Sequence, residues 1–130
     1  MTLSLQIPAN ENGAPAESAS LFRIDSFECP PDHVRAFSDR LAIIHGYFDT
    51  LEGCLYNRVA VAPGPSTVKI VTIVEWKSAA ALTAAKEAVD QFYSVDGFDP
   101  KIFMAERGIT GEFGLYHDVA AFHAQRHAAG

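Results

Sequence analysis

The sequence has few cysteines and few basic residues, and each shortage excludes a class of protein. Cys29 and Cys54 are the two cysteines among 130 residues, which gives neither a disulfide framework nor the repeated Cys/His spacing of a zinc site. The chain has ten Lys and Arg and sixteen Asp and Glu, which gives a formal net charge of −6. It contains no basic run interleaved with aromatic residues. Because an acidic surface repels phosphate backbones, nucleic acid is not an expected partner.

Long apolar runs are also absent. No stretch approaches the roughly 20 residues that span a bilayer, and residues 1–10 have neither the basic side chains nor the apolar region of a secretory signal. We therefore predict a cytoplasmic protein without a membrane-spanning helix. We expect no cofactor and no metal, because there is no glycine-rich phosphate loop and because His123 and His127, although four apart, lack the Glu of a zinc-protease motif.

The residues that are present suit one packed domain. The chain is 48% hydrophobic and contains nine Phe, enough for a core without covalent cross-links. Residues 20–28 alternate like a strand, which Pro30 and Pro31 end as they begin a helix. Apolar residues then recur at steps of three and four up to Leu51, which predicts an amphipathic helix of about five turns ended by Gly53.

A second set of elements follows. Residues 54–62 and 67–76 are strand-like and are joined by a short Pro/Gly turn, which predicts a β-hairpin. Ser78 is the predicted N-cap of a second amphipathic helix. A short helix is predicted after Asp99, where the next residue is proline, and residues 110–117 form the last predicted strand.

The order β-α-β-β-α-β predicts an α+β, ferredoxin-like fold, the split β-α-β arrangement with an antiparallel sheet and both helices on one face. The other face then carries Val68, Ile70 and Val74, or Val71 and Ile73, depending on the register. Since a bare apolar sheet of this size needs a cover, we predict a homodimer that packs sheet face against sheet face.

We divide the chain into an N-terminal arm with an additional edge strand (1–19), the ferredoxin-like domain (20–117) and a helical C-terminal tail (118–130). In this topology Cys29 and Cys54 lie at opposite ends of the sheet. That separation exceeds the reach of a disulfide, so we expect two free thiols.

Three stretches resemble the antibiotic biosynthesis monooxygenase family. Residues 22–37 run from a strand through a proline into a helix, residues 51–55 read Leu-Glu-Gly-Cys-Leu at the start of the second strand, and residues 74–82 join a strand-ending Trp-Lys-Ser to an alanine-rich helix. The resemblance covers residues 20–117 and implies a dimeric α/β barrel.

The resemblance implies a cofactor-independent monooxygenase of a small aromatic or quinol-type substrate, because the family includes such oxygenases. The alternative is a non-catalytic dimeric protein that binds a small ligand. A haem-binding or haem-degrading member is a weaker alternative. The haem-degrading branch has a histidine about ten residues after its tryptophan, and here Lys86 takes that place after Trp76.

Candidate site residues follow from side-chain chemistry and from the resemblance. Trp76 is expected to line a pocket and stack on a flat substrate, or else to fill the core. Asn57 and Arg23 carry N–H groups that can donate hydrogen bonds to an anion, and His45 is a candidate base because the ordinary pKa of histidine is near neutral; structural roles for all three are the alternative. The candidate substrate-binding residues, besides Trp76, are Tyr56, Arg58, Asp25, Tyr93 and Phe103.

Overall fold

A computed structural model describes residues 19–123. The predicted edge strand at the N-terminus and the end of the predicted tail lie outside the described residues, although residues 119–123 are helical. The main elements are β1 (Leu21–Cys29), a turn of 3-10 helix (Pro31–His33), α1 (Val34–Phe48), β2 (Cys54–Pro63), β3 (Val68–Trp76), α2 (Ala79–Asp96), α3 (Pro100–Glu106) and β4 (Thr110–His117).

The four strands form one antiparallel sheet in the order β2-β3-β1-β4, and the helices cover one of its faces. This arrangement confirms the predicted ferredoxin-like α+β fold. Cys29 lies opposite Val68 and Cys54 opposite Trp76, which are the two ends of β3. Both cysteines are free, as expected.

The side chains of the two central strands, β1 and β3, alternate between the two faces of the sheet. Phe27 and Cys29 of β1 are buried with Ile70 of β3 in one core cluster beneath the helices. Val71 and Ile73 point to the other face, since the residues on either side of them are buried towards the helices. The structure therefore has the second of the two registers that the sequence allows, in which Val71 and Ile73 lie on the face without helices.

Helix α1 ends earlier than the sequence predicts. Its last residue is Phe48, and a hydrogen-bonded turn follows in which the Leu51 amide donates to the Phe48 carbonyl at 2.9 Å. The apolar pattern continues to Leu51 because that side chain packs, from the turn, against the same core as Phe48. The prediction that Gly53 caps the helix is wrong, because the positive φ values in the described chain belong to Gly97 and Gly108.

Gly53 serves instead where the start of β2 passes close to α2. A Cβ at this position would lie 2.6 Å from Cβ of Ala81, closer than two carbons can approach. We expect Gly53→Ala to lower the free energy of unfolding by about 1–3 kcal/mol, because the backbone must shift. Gly46→Ala, in α1, meets nothing within 4 Å and should raise it by about 0.5–1 kcal/mol. Chemical denaturation of both variants measures the difference, and equal effects would contradict the close approach.

The ends of α2 and α3 follow the sequence signals. Ser78 Oγ accepts a hydrogen bond from the Ala81 amide at 3.0 Å, which caps α2. Asp99 Oδ1 accepts from the amides of Lys101 and Ile102 at 2.9 and 3.2 Å. These caps fix where the two helices begin, and so which of their side chains face the sheet.

Candidate functional site

A cavity of about 550 Å³ lies between the helix-covered face of the sheet and the three helices α1, α2 and α3. Its size is typical of sites for small organic molecules. Aromatic rings make up much of its wall: Phe27, Phe37, Phe48, Trp76, Tyr93, Phe98, Phe103 and Phe113. A cavity of this composition favours a flat, mostly apolar ligand.

Trp76 belongs both to the core and to the cavity wall. Its side chain is 3% exposed and packs with Leu21, Val74 and Leu82, and the Phe48 ring meets it edge to face with 5.4 Å between centroids. It also borders the cavity. The two alternatives offered by the sequence, pocket wall and core residue, therefore describe the same side chain.

His45 borders the cavity from α1 and is held from behind by a polar chain. Its Nδ1 lies 3.1 Å from Oδ1 of Asn57, and Nδ2 of Asn57 donates to Oδ1 of Asp49 at 2.7 Å. Because a carboxylate accepts only, this second bond assigns the orientation of the Asn57 amide. The Asn57 oxygen then faces His45, whose Nδ1 must carry the hydrogen.

The remaining imidazole nitrogen of His45 is the chemically useful one. Within residues 19–123 the only hydrogen bond of this ring is to Asn57, so Nε2 has a free lone pair. Burial lowers the pKa of His45, and this effect outweighs the opposing effects of the Asn57 hydrogen bond and of Asp49 and Asp25. The ring is therefore neutral at pH 7 and its Nε2 can accept a proton.

The floor of the cavity carries a short polar group on the two central strands. Arg23 Nε donates to Asp25 Oδ1 at 2.8 Å, and the two side chains are 33% and 16% exposed. Thr72, which is buried, lies directly across from Asp25 on β3. An ion pair beside a hydroxyl gives the floor of the cavity a few oriented polar contacts.

The helical side carries a second polar group. Arg40 Nη2 donates to Asp96 Oδ2 at 2.6 Å, and its Cζ lies 3.5 Å from the centroid of the Phe98 ring. Tyr93 is half-buried beside the cavity, and burial raises the pKa of its hydroxyl. Tyr93 therefore stays protonated and can donate a hydrogen bond.

Most of the candidate site residues border this cavity, and three of them do not. Asn57 stands behind His45. Asn57 lies opposite Val74 in the sheet and faces the helices, so its neighbours Tyr56 and Arg58 point to the other face. The prediction that Tyr56 and Arg58 share a substrate pocket with Trp76 therefore does not fit a single chain. The candidates that the cavity does bring together are Trp76, His45, Arg23, Asp25, Tyr93 and Phe103.

The sequence reasoning did not place at the cavity five further polar residues that border it, namely Arg40, Thr72, Lys86, Asp90 and Lys101. A signal existed for Arg40, which stands three residues after Phe37 and four before Ile44, on the apolar stripe of α1. A second existed for Thr72, which alternates with Ile70 and Val74 on β3. Lys86 is marked only as the residue at the position of the haem-degrading branch's histidine, and nothing in the sequence marks Lys101, because an exposed lysine is ordinary on a helix.

Two further findings concern residues 19–123. No group of three or more His, Cys, Asp or Glu side chains there is arranged to hold a metal ion. None of the helices in the same range has the length and apolar character needed to cross a membrane.

Neither the protein-family models nor the curated proteins include a match to this chain, whereas solved structures do match. A provisionally named monooxygenase from Shewanella loihica PV-4 is 18% identical, with 79% of this chain and 97% of that chain covered and a TM-score of 0.60. A provisionally named antibiotic biosynthesis monooxygenase from Nitrosomonas europaea is 14% identical, with 82% and 96% covered and a TM-score of 0.61.

A mutant of SnoaB, a cofactor-independent oxygenase from Streptomyces nogalater, is also similar. It is 17% identical, with 79% of this chain and 94% of that chain covered and a TM-score of 0.55. The chain thus has the fold of the antibiotic biosynthesis monooxygenases, which confirms the resemblance seen in the sequence at the level of fold.

Proposed function

We propose that this protein is a cofactor-independent monooxygenase of a small aromatic or quinol-type substrate. The observation that carries the proposal is a neutral, oriented histidine, His45, at the wall of an aromatic cavity of about 550 Å³. Such a cavity holds a flat ring system, and such a histidine removes a proton from an acidic hydroxyl. The names given to proteins of the same fold support the same reaction class.

The proposed reaction begins with proton transfer from the substrate hydroxyl to Nε2 of His45. The resulting aryloxide gives one electron to O₂, and the two radicals join through a new C–O bond at a ring carbon. The peroxide takes the proton back from His45 and becomes a hydroperoxide. Loss of the ring proton and cleavage of the O–O bond then leave a carbonyl, with the second oxygen atom released as water. The substrate supplies all the electrons, so no external reductant is needed.

The cavity supplies orientation and charge stabilisation for this sequence of steps. Trp76 provides a flat wall on which a ring can stack. Arg23 and Tyr93 offer N–H and O–H donors to negative charge on the substrate oxygen or on the peroxide, and such donors act strongly where water is excluded. His45 is the only one of these groups that takes up and returns a proton.

Oxygen consumption tests the proposal. Purified protein is mixed with a panel of naphthols, hydroquinols and anthrones, and uptake of O₂ is followed together with mass spectrometry of the product under ¹⁸O₂. We expect one labelled oxygen atom per product molecule and no requirement for a reductant. If compounds of the panel bind saturably and none of them causes oxygen uptake, the proposal is wrong and the alternative of a non-catalytic binding protein replaces it.

Haem binding is a separate prediction, and we expect none that is specific. Lys86 stands at the cavity in the place of the haem-degrading branch's histidine, so that branch's imidazole ligand is missing from this position. His45 is the only histidine at the cavity within the described residues, so any specific complex would use it. Titration with haemin should give no stoichiometric Soret band. A stoichiometric band lost in His45→Gln would overturn this prediction.

We also propose that two copies pack through the uncovered sheet face. Side chains that point away from the helices include Phe22, Ile24, Val71 and Ile73, and all four are only half-buried within the described chain. A contiguous apolar face of this kind is stable in water only when covered. A second copy of the same face supplies a matching surface.

Sedimentation at micromolar concentration measures the assembly. We expect about twice the chain mass of 14.1 kDa. Ile73→Lys should give the monomer mass, because a charge at the centre of the face opposes its burial. Ile43→Lys is the matched control, since Ile43 is 45% exposed on α1 and should not affect assembly. A wild-type monomer at these concentrations would rule out the dimer.

A further inference from the structure

We infer that the ligand of the cavity carries a carboxylate, held near Arg40 at the end of the cavity formed by α1, α2 and α3. The inference deepens the proposed function and rests on it. It assigns the substrate class as a hydroxylated aromatic acid. The hydroxyl lies towards His45 and the carboxylate towards Arg40.

The charge of the cavity differs in sign from the charge of the protein. Acidic residues outnumber basic ones over the whole chain, sixteen to ten. The cavity wall reverses this ratio, with four basic residues, Arg23, Arg40, Lys86 and Lys101, and two acidic ones, Asp25 and Asp90. A cavity with cationic walls inside an acidic protein concentrates anions rather than cations.

The two arginines of the cavity wall, Arg23 on β1 and Arg40 on α1, differ in which of their N–H groups remain unpaired. Arg23 is paired with Asp25 at 2.8 Å on the cavity floor. Arg40 is paired through Nη2 with Asp96, but its Nε is buried and has no hydrogen-bond partner among the described residues. Because Nε has almost no accessible surface, a ligand in the cavity reaches the Arg40 guanidinium through Nη1, which is not buried and has no hydrogen-bond partner among the described residues.

Arg40 is held in position before any ligand arrives. Asp96 holds one nitrogen of its guanidinium, and the Phe98 ring lies 3.5 Å beneath Cζ. These contacts fix the plane of the group. A fixed guanidinium plane matches the planar, two-oxygen geometry of a carboxylate.

Lys86 and Lys101 add mobile positive charge at the same wall. Both border the cavity, and neither appears in an ion pair within residues 19–123, in which Lys69 and Lys77 are the paired lysines. Unpaired cations at a cavity strengthen attraction for an anion without fixing its orientation. Arg40 therefore provides the geometry, and the two lysines provide additional charge.

The spacing along α1 suits a ligand with its two polar groups at opposite ends. Arg40 and His45 are five residues apart, which is about 7.5 Å along a helix axis. This separation is comparable to the length of two fused rings. A hydroxyl at one end can then reach His45 while a carboxylate at the other reaches Arg40.

Calorimetry with a matched pair of compounds tests the inference. The first is a hydroxynaphthoate with its hydroxyl and carboxylate at opposite ends of the ring pair, and the second is its primary amide, which has the same shape and no charge. At pH 7 and low salt, we expect the acid to bind wild-type protein roughly ten-fold more tightly than the amide. This preference should shrink as salt is raised.

Variants assign the preference to its residues. Arg40→Gln should remove most of the preference for the acid and leave affinity for the amide nearly unchanged. The double variant Lys86→Gln and Lys101→Gln should reduce the preference in part, and it keeps the test available if loss of the Asp96 pair unfolds Arg40→Gln. Lys77→Gln is the control, since Lys77 pairs with Glu52 and lies outside the cavity wall.

The outcomes separate this inference from the proposed function. Equal affinities for acid and amide in wild-type protein would overturn the carboxylate site and leave the aromatic cavity standing. A preference for the acid that survives in both Arg40→Gln and the double lysine variant would also overturn it. Failure of both compounds to bind would overturn the aromatic cavity, and the carboxylate site with it.

Discussion

Trp76→Ala is expected to lower the free energy of unfolding by about 3–5 kcal/mol, the usual cost of removing a buried aromatic side chain. The indole is 3% exposed and packs against Phe48, Val74 and Leu82, so little of the lost volume can be filled. Trp76→Phe keeps a ring in the same place and should cost much less. Chemical denaturation of the three proteins gives the comparison.

The same substitutions are expected to affect ligand binding in a different order. Trp76→Phe removes the larger stacking surface and the indole N–H, so it should weaken binding of flat aromatics although the fold persists. Trp76 is the only tryptophan, so its fluorescence reports on the cavity in the wild-type protein. Saturable quenching by quinols and naphthols at micromolar to millimolar concentrations is the expected result.

Leu21→Ala provides the matched control for Trp76. Leu21 belongs to the same core cluster but lies outside the cavity wall. It should therefore lower stability by about 2–5 kcal/mol and leave ligand affinity unchanged. An emission spectrum of Trp76 that no compound perturbs, together with unchanged affinity in Trp76→Phe, would contradict its assignment to the site.

His45→Gln is expected to reduce kcat by roughly 100-fold or more, because a positioned general base contributes at least that much to proton transfer. KM should change little, since glutamine keeps most of the volume and the aromatic walls remain. The measurement is oxygen uptake with whichever compound of the panel the wild-type protein oxidises. An undiminished kcat would remove His45 from the mechanism.

The depressed pKa of His45 also predicts how stability changes with pH. The folded state binds the proton more weakly than the unfolded state, because burial disfavours the charged ring. Stability should therefore fall as the pH drops below about 6.5, the ordinary histidine value, until the folded-state pKa is reached. The wild-type protein should lose more stability than His45→Gln over this range.

A histidine away from the cavity serves as control for both effects. His33, in the 3-10 turn before α1, does not border the cavity. His33→Gln should keep the wild-type kcat and the wild-type decline in stability below about pH 6.5. If the decline in stability disappears in His33→Gln instead, the pH effect arises from His33, and its assignment to His45 is wrong.

The order of elements could be predicted because each one has a local signal. Strand alternation, the Ser78 and Asp99 caps and the apolar stripes all act within a few residues of sequence. The end of α1 was predicted too late because Leu51 keeps the helical spacing while packing from a turn. The spacing of apolar residues indicates which side chains reach the core. It does not indicate whether the backbone at each of them is helical.

The site was predicted less completely because it is assembled from different parts of the chain. The cavity placement of Trp76 and His45 could be anticipated from their chemistry and the resemblance. Tyr56 and Arg58 were misplaced because the sheet face of β2 depends on its register with β3, which only the folded structure gives. The orientation of His45 by Asn57, and the unpaired Nε of Arg40, arise from contacts between distant elements and have no counterpart in local sequence.

The double role of Trp76 has a consequence for how this protein can acquire new substrates. Changes on the sheet side of the cavity alter side chains that also hold the core together, so most variants there lose stability before they gain a new shape of pocket. Helix α3 contributes Phe103 and Met104 to the cavity, and these two side chains are only partly buried where they pack against the core. Natural divergence and laboratory evolution of specificity should therefore accumulate on α3, where a change costs less folding stability than a change at Trp76.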